Sequence, residues 1–259
     1  MCFDVCDKMS KLFKTLGSLI VLATYLGGPQ TRAQEKAVSA KVAVTRAGEK
    51  EGSRVSGSKG PDTSNVAVWL VPLDHMGVAV PVSGKLANPP QLLQRNKTFE
   101  PHVLIVPLGT TVEFPNQDPF FHNIFSLYDG RRFDLGLYES GTKRSVKFDR
   151  PGVSFLFCNI HAEMSAVVLS VDTPYFALSD RNGNVTIRNV PDGRYQMHVW
   201  YERSAPEQLQ EFTRVVVISD SSRNLGLLHF ADTPNFTLAH KNKYGLDYVP
   251  PPNPAYDRP

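Results

Sequence analysis

The sequence predicts an all-β protein made of two successive β-sandwiches. Three observations lead there. Helical periodicity is nearly absent beyond residue 33, short alternating or apolar runs recur in its place, and Gly, Pro, Asn or Asp bounds each run. Hydrophobic residues make up 41% of the 259 and charged residues 20%. That is an ordinary globular mixture, long enough for one large or two ordinary domains.

Residues 1–33 read as a signal peptide. Lys8, Lys11 and Lys14 precede the apolar run Leu16 to Leu26, Gly27, Gly28 and Pro29 follow it, and Thr31-Arg32-Ala33 offers a small residue at a cleavage point. The run is too short to span a bilayer comfortably, so a periplasmic or secreted chain without stable membrane insertion is expected. Cleavage removes four basic residues (Lys8, Lys11, Lys14, Arg32) and two acidic ones (Asp4, Asp7). The formal charge then falls from +3 to +1. The basicity sits largely in the signal, and no nucleic-acid partner is expected.

Strands are expected near Val38–Val44, Val66–Leu73, Val103–Val106, Thr111–Phe114, Arg144–Phe148, Val153–Cys158 and Ala166–Val171. The Gly-, Ser- and charge-rich stretch Thr45–Asn65 reads as a loop between the first two. These runs assign 34–172 to a first sandwich. A second, over 173–231, follows from Tyr175–Ser179, Val185–Val190, Tyr195–Tyr201, Thr213–Ile218 and Leu225–Phe230, with turns at Asp180–Asn184 and Pro191-Asp192-Gly193. The tail 232–259 carries six prolines and should be extended, docked or frayed.

Chemistry enters with the cysteines. Of three, Cys2 and Cys6 lie in the signal, leaving Cys158 alone in the mature chain. An unpaired thiol in an oxidising compartment calls for burial or ligation. Cys158-Asn-Ile-His161-Ala-Glu-Met164 is a Cys-x2-His-x2-Met loop between two expected strands, and His122 lies 36 residues upstream near another strand end. A thiolate, two imidazoles and a thioether are the donors of a blue-copper site, with the weak methionine tuning the potential. Singly, each residue reads as core filler or a surface imidazole. Zinc or a lost site remain alternatives to copper. His75, His102, His198, His229 and His240 show no ligand spacing, and His102 reads as structural. No Gly-x-Ser-x-Gly, Walker loop or His-Glu-x-x-His occurs, so these enzyme classes lack their residues and an enzyme is not expected.

From Val66 to Val171 the sequence resembles the cupredoxins, with a ligand-loop spacing like that of amicyanin. The resemblance rests on Gly109-Thr-Thr-Val-Glu-Phe ahead of Asn116 and Asp118, on His122-Asn123, on Phe148-Asp-Arg-Pro-Gly-Val leading to Cys158, and on Met164-Ser-Ala-Val-Val-Leu. It implies a Greek-key sandwich holding one type 1 copper ion. His122, Cys158 and His161 would be equatorial ligands and Met164 the axial one, with Asn123 tying the two ligand loops together. Ala162 and Glu163 depart from the amicyanin loop, and Glu163 is expected to face solvent. The mature chain also resembles exported plastocyanin-like proteins often labelled methylamine-utilisation proteins.

Asp180 to Trp200 resembles the carboxypeptidase regulatory-like, transthyretin-like sandwich, a fold shared with carbohydrate-binding modules. Trp200 and Tyr201 then suggest a glycan contact, although strand alternation favours packing. The function implied is single-electron transfer between a redox donor and acceptor. A copper-storage module, or a surface binding protein with a structural first half, are the alternatives.

Overall fold

The structure, a computed structural model, describes residues 36–46, 61–74, 88–127, 130–233 and 240–248. The signal segment, the centre of the Thr45–Asn65 loop, His75 and the proline-rich 249–259 lie outside them. In chain order the first strands are β1 (Val38–Arg46), β2 (Ala67–Pro72), β3 (Leu93–Arg95), β4 (Thr98–Glu100), β5 (Val103–Pro107), β6 (Thr110–Pro115), β7 (His122–Ser126) and β8 (Phe133–Tyr138). Then follow β9 (Lys143–Phe148), β10 (Gly152–Phe157), β11 (Ser165–Val171), β12 (Phe176–Leu178), β13 (Asn184–Ile187) and β14 (Gly193–Trp200). The short helix α1 (Pro206–Phe212) and strands β15 (Arg214–Ile218) and β16 (Asn224–Asp232) close the series. The protein is all-β.

The sheets do not follow the linear division expected from sequence. β1 and β2 fall inside 34–172, yet they pair with strands from 176–232. One sheet runs β13-β1-β16, and the sheet β12-β2-β14-β15 stacks on it. β1 shows why. It turns Val38, Ala40, Val42 and Val44 inward on alternate positions, while β16 beside it, in parallel, brings Leu228 and Phe230. From the facing sheet come Val68, Leu70, Tyr195, Met197 and Val199, completing one buried cluster. Alternation identifies an inward face but not which sheet receives it. First and last strands therefore lie side by side, and 88–171 is an insertion between the second and third strands of this sandwich. Its turn at Asp180–Asn184 presses on β1: Gly183 has φ +77°, and a Cβ there would lie 2.3 Å from the Val42 carbonyl oxygen.

The insertion forms the other sandwich. A five-stranded sheet β5-β11-β10-β7-β8 faces the β6–β9 pair and the β3–β4 hairpin. Between them lie Leu92, Phe99, Phe114 and Phe148 on one side and Ile124, Leu156, Cys158 and Met164 on the other. The outer face of the same large sheet packs on the sheet containing β2 and β14. Val103, Ile105, Val167, Leu169 and Val171 meet Ala67 and Trp200 there. β11 is therefore buried on both faces, and its run Ser-Ala-Val-Val-Leu-Ser-Val loses the alternation of a half-exposed strand. Burying each such valine or leucine contributes about 1.5–3 kcal/mol, so this middle layer holds the two sandwiches together. β7, β8, the β3–β4 hairpin and α1 were not anticipated. All five residues of β7 are buried, which erases its period-2 signal.

Candidate metal centre

The site is built at one end of the inserted sandwich, where β7 begins and the β10–β11 connection passes. Asn116 shapes the approach to β7. Its Nδ2 donates to the Phe120 carbonyl at 2.8 Å, and its Oδ1 accepts the Asp118 N–H at 3.0 Å. The loop is thereby turned so that the Asp118 carboxylate accepts from His122 Nε2 at 2.8 Å, with both side chains buried. Asp118 also accepts the backbone N–H groups of Asn96 at 2.6 Å and Lys97 at 3.0 Å. Those two form the β3–β4 turn with φ of 54° and 55°, the left-handed pair a two-residue hairpin requires. Burial works against the Asp118 charge, but the N–H donors of Lys97, His122 and Asn96 outweigh it and hold the carboxyl below its ordinary range.

With Nε2 committed to Asp118, His122 turns Nδ1 toward the Cys158 sulfur at 3.7 Å. His161 Nδ1 approaches the same sulfur at 3.5 Å. The ligand atoms of His122, Cys158 and His161 all lie within 4.8 Å of one another, and no other His, Cys, Asp and Glu group among the described residues forms such a cluster. Burial pushes His122 below the usual histidine range despite Asp118. The ring is held neutral, the form that ligates metals. Burial likewise pushes the Cys158 thiol up, although the backbone N–H groups of Asn123, Ile160 and His161 favour the thiolate. A buried sulfur with three donors becomes a thiolate most readily when a cation takes the place of its proton.

The Cys158–Met164 loop is pinned at its ends. Cys158 N–H donates to the Met164 carbonyl at 3.1 Å, and Met164 N–H to the His161 carbonyl at 3.2 Å. Met164 is fully buried in the same cluster as Cys158. Glu163 is exposed, as expected. The Phe120 ring packs on both imidazoles, with centroids 5.1 Å from His122 and 5.6 Å from His161. Phe121 and Ile160 stand at the surface, 50% and 44% exposed.

Asn123 acts differently from the expectation. Its backbone N–H reaches Cys158, but its side-chain amide donates to Asp134 Oδ1 on β8 at 2.8 Å instead of crossing to the Cys–Met loop. Two contributors had no assigned role in the sequence: Asp118, and the tail segment 240–248. Asp118 was visible as a carboxylate four residues before a candidate ligand histidine, but its turn back onto the ring depends on Asn116. The tail has no periodicity to betray a contact. Tyr248 Oη donates to the Cys158 carbonyl at 2.6 Å, and the His240 ring stacks on Phe157 at 3.9 Å.

The other described histidines are half-buried or exposed and lie outside the cluster. His102 bonds Glu202 at 2.6 Å, and His198 stacks on Trp69 at 5.2 Å. Trp200 and Tyr201 are both buried, Trp200 between the sandwiches and Tyr201 within one, so they form no exposed glycan platform.

A cysteine sulfur facing two imidazoles, with the Met164 thioether buried in the same cluster as Cys158, suits one soft or borderline cation and disfavours calcium or magnesium, which take oxygen donors. Among the described residues no helix is long and apolar enough to cross a membrane. No protein-family model matches the sequence, and no curated protein does. Several solved structures resemble part of it. A copper-containing nitrite reductase from Thermus scotoductus SA-01 is 26% identical over 33% of this chain, with a TM-score of 0.32. This chain spans about a quarter of that protein, 23%. A purple cupredoxin from Nitrosopumilus maritimus is 24% identical with a TM-score of 0.30, covering 32% of this chain and 99% of its own. A reduced Cu(I) amicyanin variant is 19% identical with a TM-score of 0.31, covering 34% of this chain and 87% of its own. The similarity is confined to about a third of the chain and assigns no function to it.

Proposed function

We propose that the protein binds one type 1 copper ion through His122, Cys158, His161 and Met164 and carries single electrons between redox proteins in the periplasm or outside the cell. The carrying observation is the convergence of two imidazole Nδ1 atoms on one buried cysteine sulfur. When bound, copper supplies a one-electron couple between Cu(I) and Cu(II). The chain supplies a fixed geometry. Asp118 sets the orientation and tautomer of His122, the two loop hydrogen bonds hold Cys158 and Met164 together, and the Phe120 ring packs on both imidazoles. Ligands anchored this firmly move little when the charge changes, which favours fast transfer over bond-making chemistry.

The electron is proposed to leave through His161. Its loop neighbour Ile160 and the nearby Phe121 present an apolar surface, where a partner can exclude water. A mature charge of about +1 gives little long-range steering, which suits brief, small contacts with a donor and an acceptor. The test is cycling. Copper-loaded protein should bleach with ascorbate and recover its colour with ferricyanide over repeated rounds, and Cys158→Ser should show no colour. A variant lacking the thiol that stayed intensely coloured would remove Cys158 from the site.

A further inference from the structure

The tail segment 240–248 packs on the loop that carries Cys158 and His161 and reaches Asp134 on β8. Tyr248 Oη donates to the Cys158 carbonyl at 2.6 Å and lies 3.1 Å from His240 Nδ1. His240 stacks on Phe157, the residue before Cys158, with ring planes 26° apart. Lys243 N–H donates to Asn159 Oδ1, the residue after Cys158, at 3.0 Å. Its Nζ reaches Asp134 Oδ2 at 2.7 Å, and Asp134 Oδ1 holds the side chain of Asn123, the residue after His122. Beside the direct contact of Asn123 N–H with Cys158, a second link between the two loops thus runs Asn123–Asp134–Lys243–Asn159. The tail completes it.

We propose that this segment is an intramolecular strap over the copper loop and that Tyr248 is a positioning residue raising the reduction potential of the site. The proposal rests on the copper reading. Two effects of the strap share one sign. A donor on the Cys158 carbonyl withdraws electron density from the cysteine and so favours the electron-richer, reduced state. A strap that keeps water from the loop disfavours the more highly charged oxidised state. It also shields the sulfur from external reagents.

Three chains test this beside the wild type: Tyr248→Phe, a deletion of 234–259 that removes the strap, and a deletion of 249–259 that keeps it. Two quantities are read, the reduction potential of the copper-loaded protein and the rate at which iodoacetamide alkylates Cys158 in the metal-free protein. Strap removal should shift the Cu(I) over Cu(II) preference about tenfold toward Cu(II), a fall of ~59 mV for one electron. It should also speed alkylation at least about tenfold, since iodoacetamide reacts with the thiolate and a buried thiol is neither reached nor readily ionised. Tyr248→Phe removes one hydroxyl without disturbing the fold and should lower the potential by about threefold in the same ratio. The shorter deletion should match wild type in both. A wild type that takes up no copper overturns the copper reading and the proposal with it. A copper-loaded wild type whose potential is unmoved by Tyr248→Phe and by strap removal overturns the strap alone.

Discussion

Replacing Asp118 by alanine strikes the site through a residue that touches no metal. The carboxylate accepts three hydrogen bonds in a buried setting, from His122 Nε2 and from the backbone N–H groups of Asn96 and Lys97. Hydrogen bonds to a charged group contribute about 1.5–3 kcal/mol each, but the three share one acceptor, and the mutant is relieved of burying that charge. The net loss in metal-free stability should therefore be about 1–3 kcal/mol, the scale of leaving buried donors without their acceptor. The left-handed Asn96–Lys97 turn loses its anchor, and the His122 ring is free to rotate or change tautomer. Losing such a partner of a ligating histidine lowers metal affinity about 10–100-fold. Urea unfolding of the metal-free protein gives the first quantity, and competition with a chelator of known copper affinity gives the second. Asp118→Asn keeps one acceptor oxygen and should fall between the two. Copper affinity within about twofold of wild type in both variants would show that Asp118 does not orient His122.

Other perturbations separate the surface from the site. Phe121→Asp should slow electron exchange with a partner while leaving the copper spectrum unchanged. Phe120→Asp should alter the spectrum too, because that ring packs on both imidazoles; equal effects would refute the division. Met164→Leu should keep the intense colour and shift the reduction potential, since a thioether is a weak axial donor; an unshifted potential would place Met164 outside the site. His102 is held above its ordinary 6.5, chiefly by its hydrogen bond to Glu202, against a smaller lowering by burial. A raised folded value means stability fully present below pH 6.5 and lost as pH rises through the folded value. The His102 side chain is 40% exposed, so the pair contributes at most about 1 kcal/mol. The gap in Tm between wild type and His102→Gln should accordingly narrow from about pH 6 to about pH 9, and a gap that widens would reverse the assignment.

Much of this was legible in the sequence, for identifiable reasons. β1, β6, β9 and β14 alternate against a solvent face or a turn, so they could be located to within about two residues at each end, whereas β13 ends at Ile187, three residues before the expected Val190. β7 and β8 could not: the one is buried throughout, and the other alternates weakly around Gly136. Sheet membership was hidden for β1 and β2, because a parallel partner for β1 arrives almost two hundred residues later at β16. At the site, Cys158, His161 and Met164 share one short loop, so their spacing carried the information. His122 was visible because the turn residues Pro115, Asn116, Asp118 and Pro119 separate it from the strand before. Lys243 and Tyr248 were not, since nothing local in a tail of prolines and polar residues marks a hydrogen bond to a carbonyl 90 positions away.

The central claim is that His122, Cys158, His161 and Met164 hold copper through a thiolate. Titrating the metal-free mature protein with Cu(II) while recording its visible and electron paramagnetic resonance spectra tests it most directly. A single copper per chain, an intense charge-transfer band growing in step with it, and a narrow copper hyperfine splitting are the expected result. Uptake without that band, or a pale spectrum with the wide splitting of a tetragonal nitrogen and oxygen site, would contradict the claim.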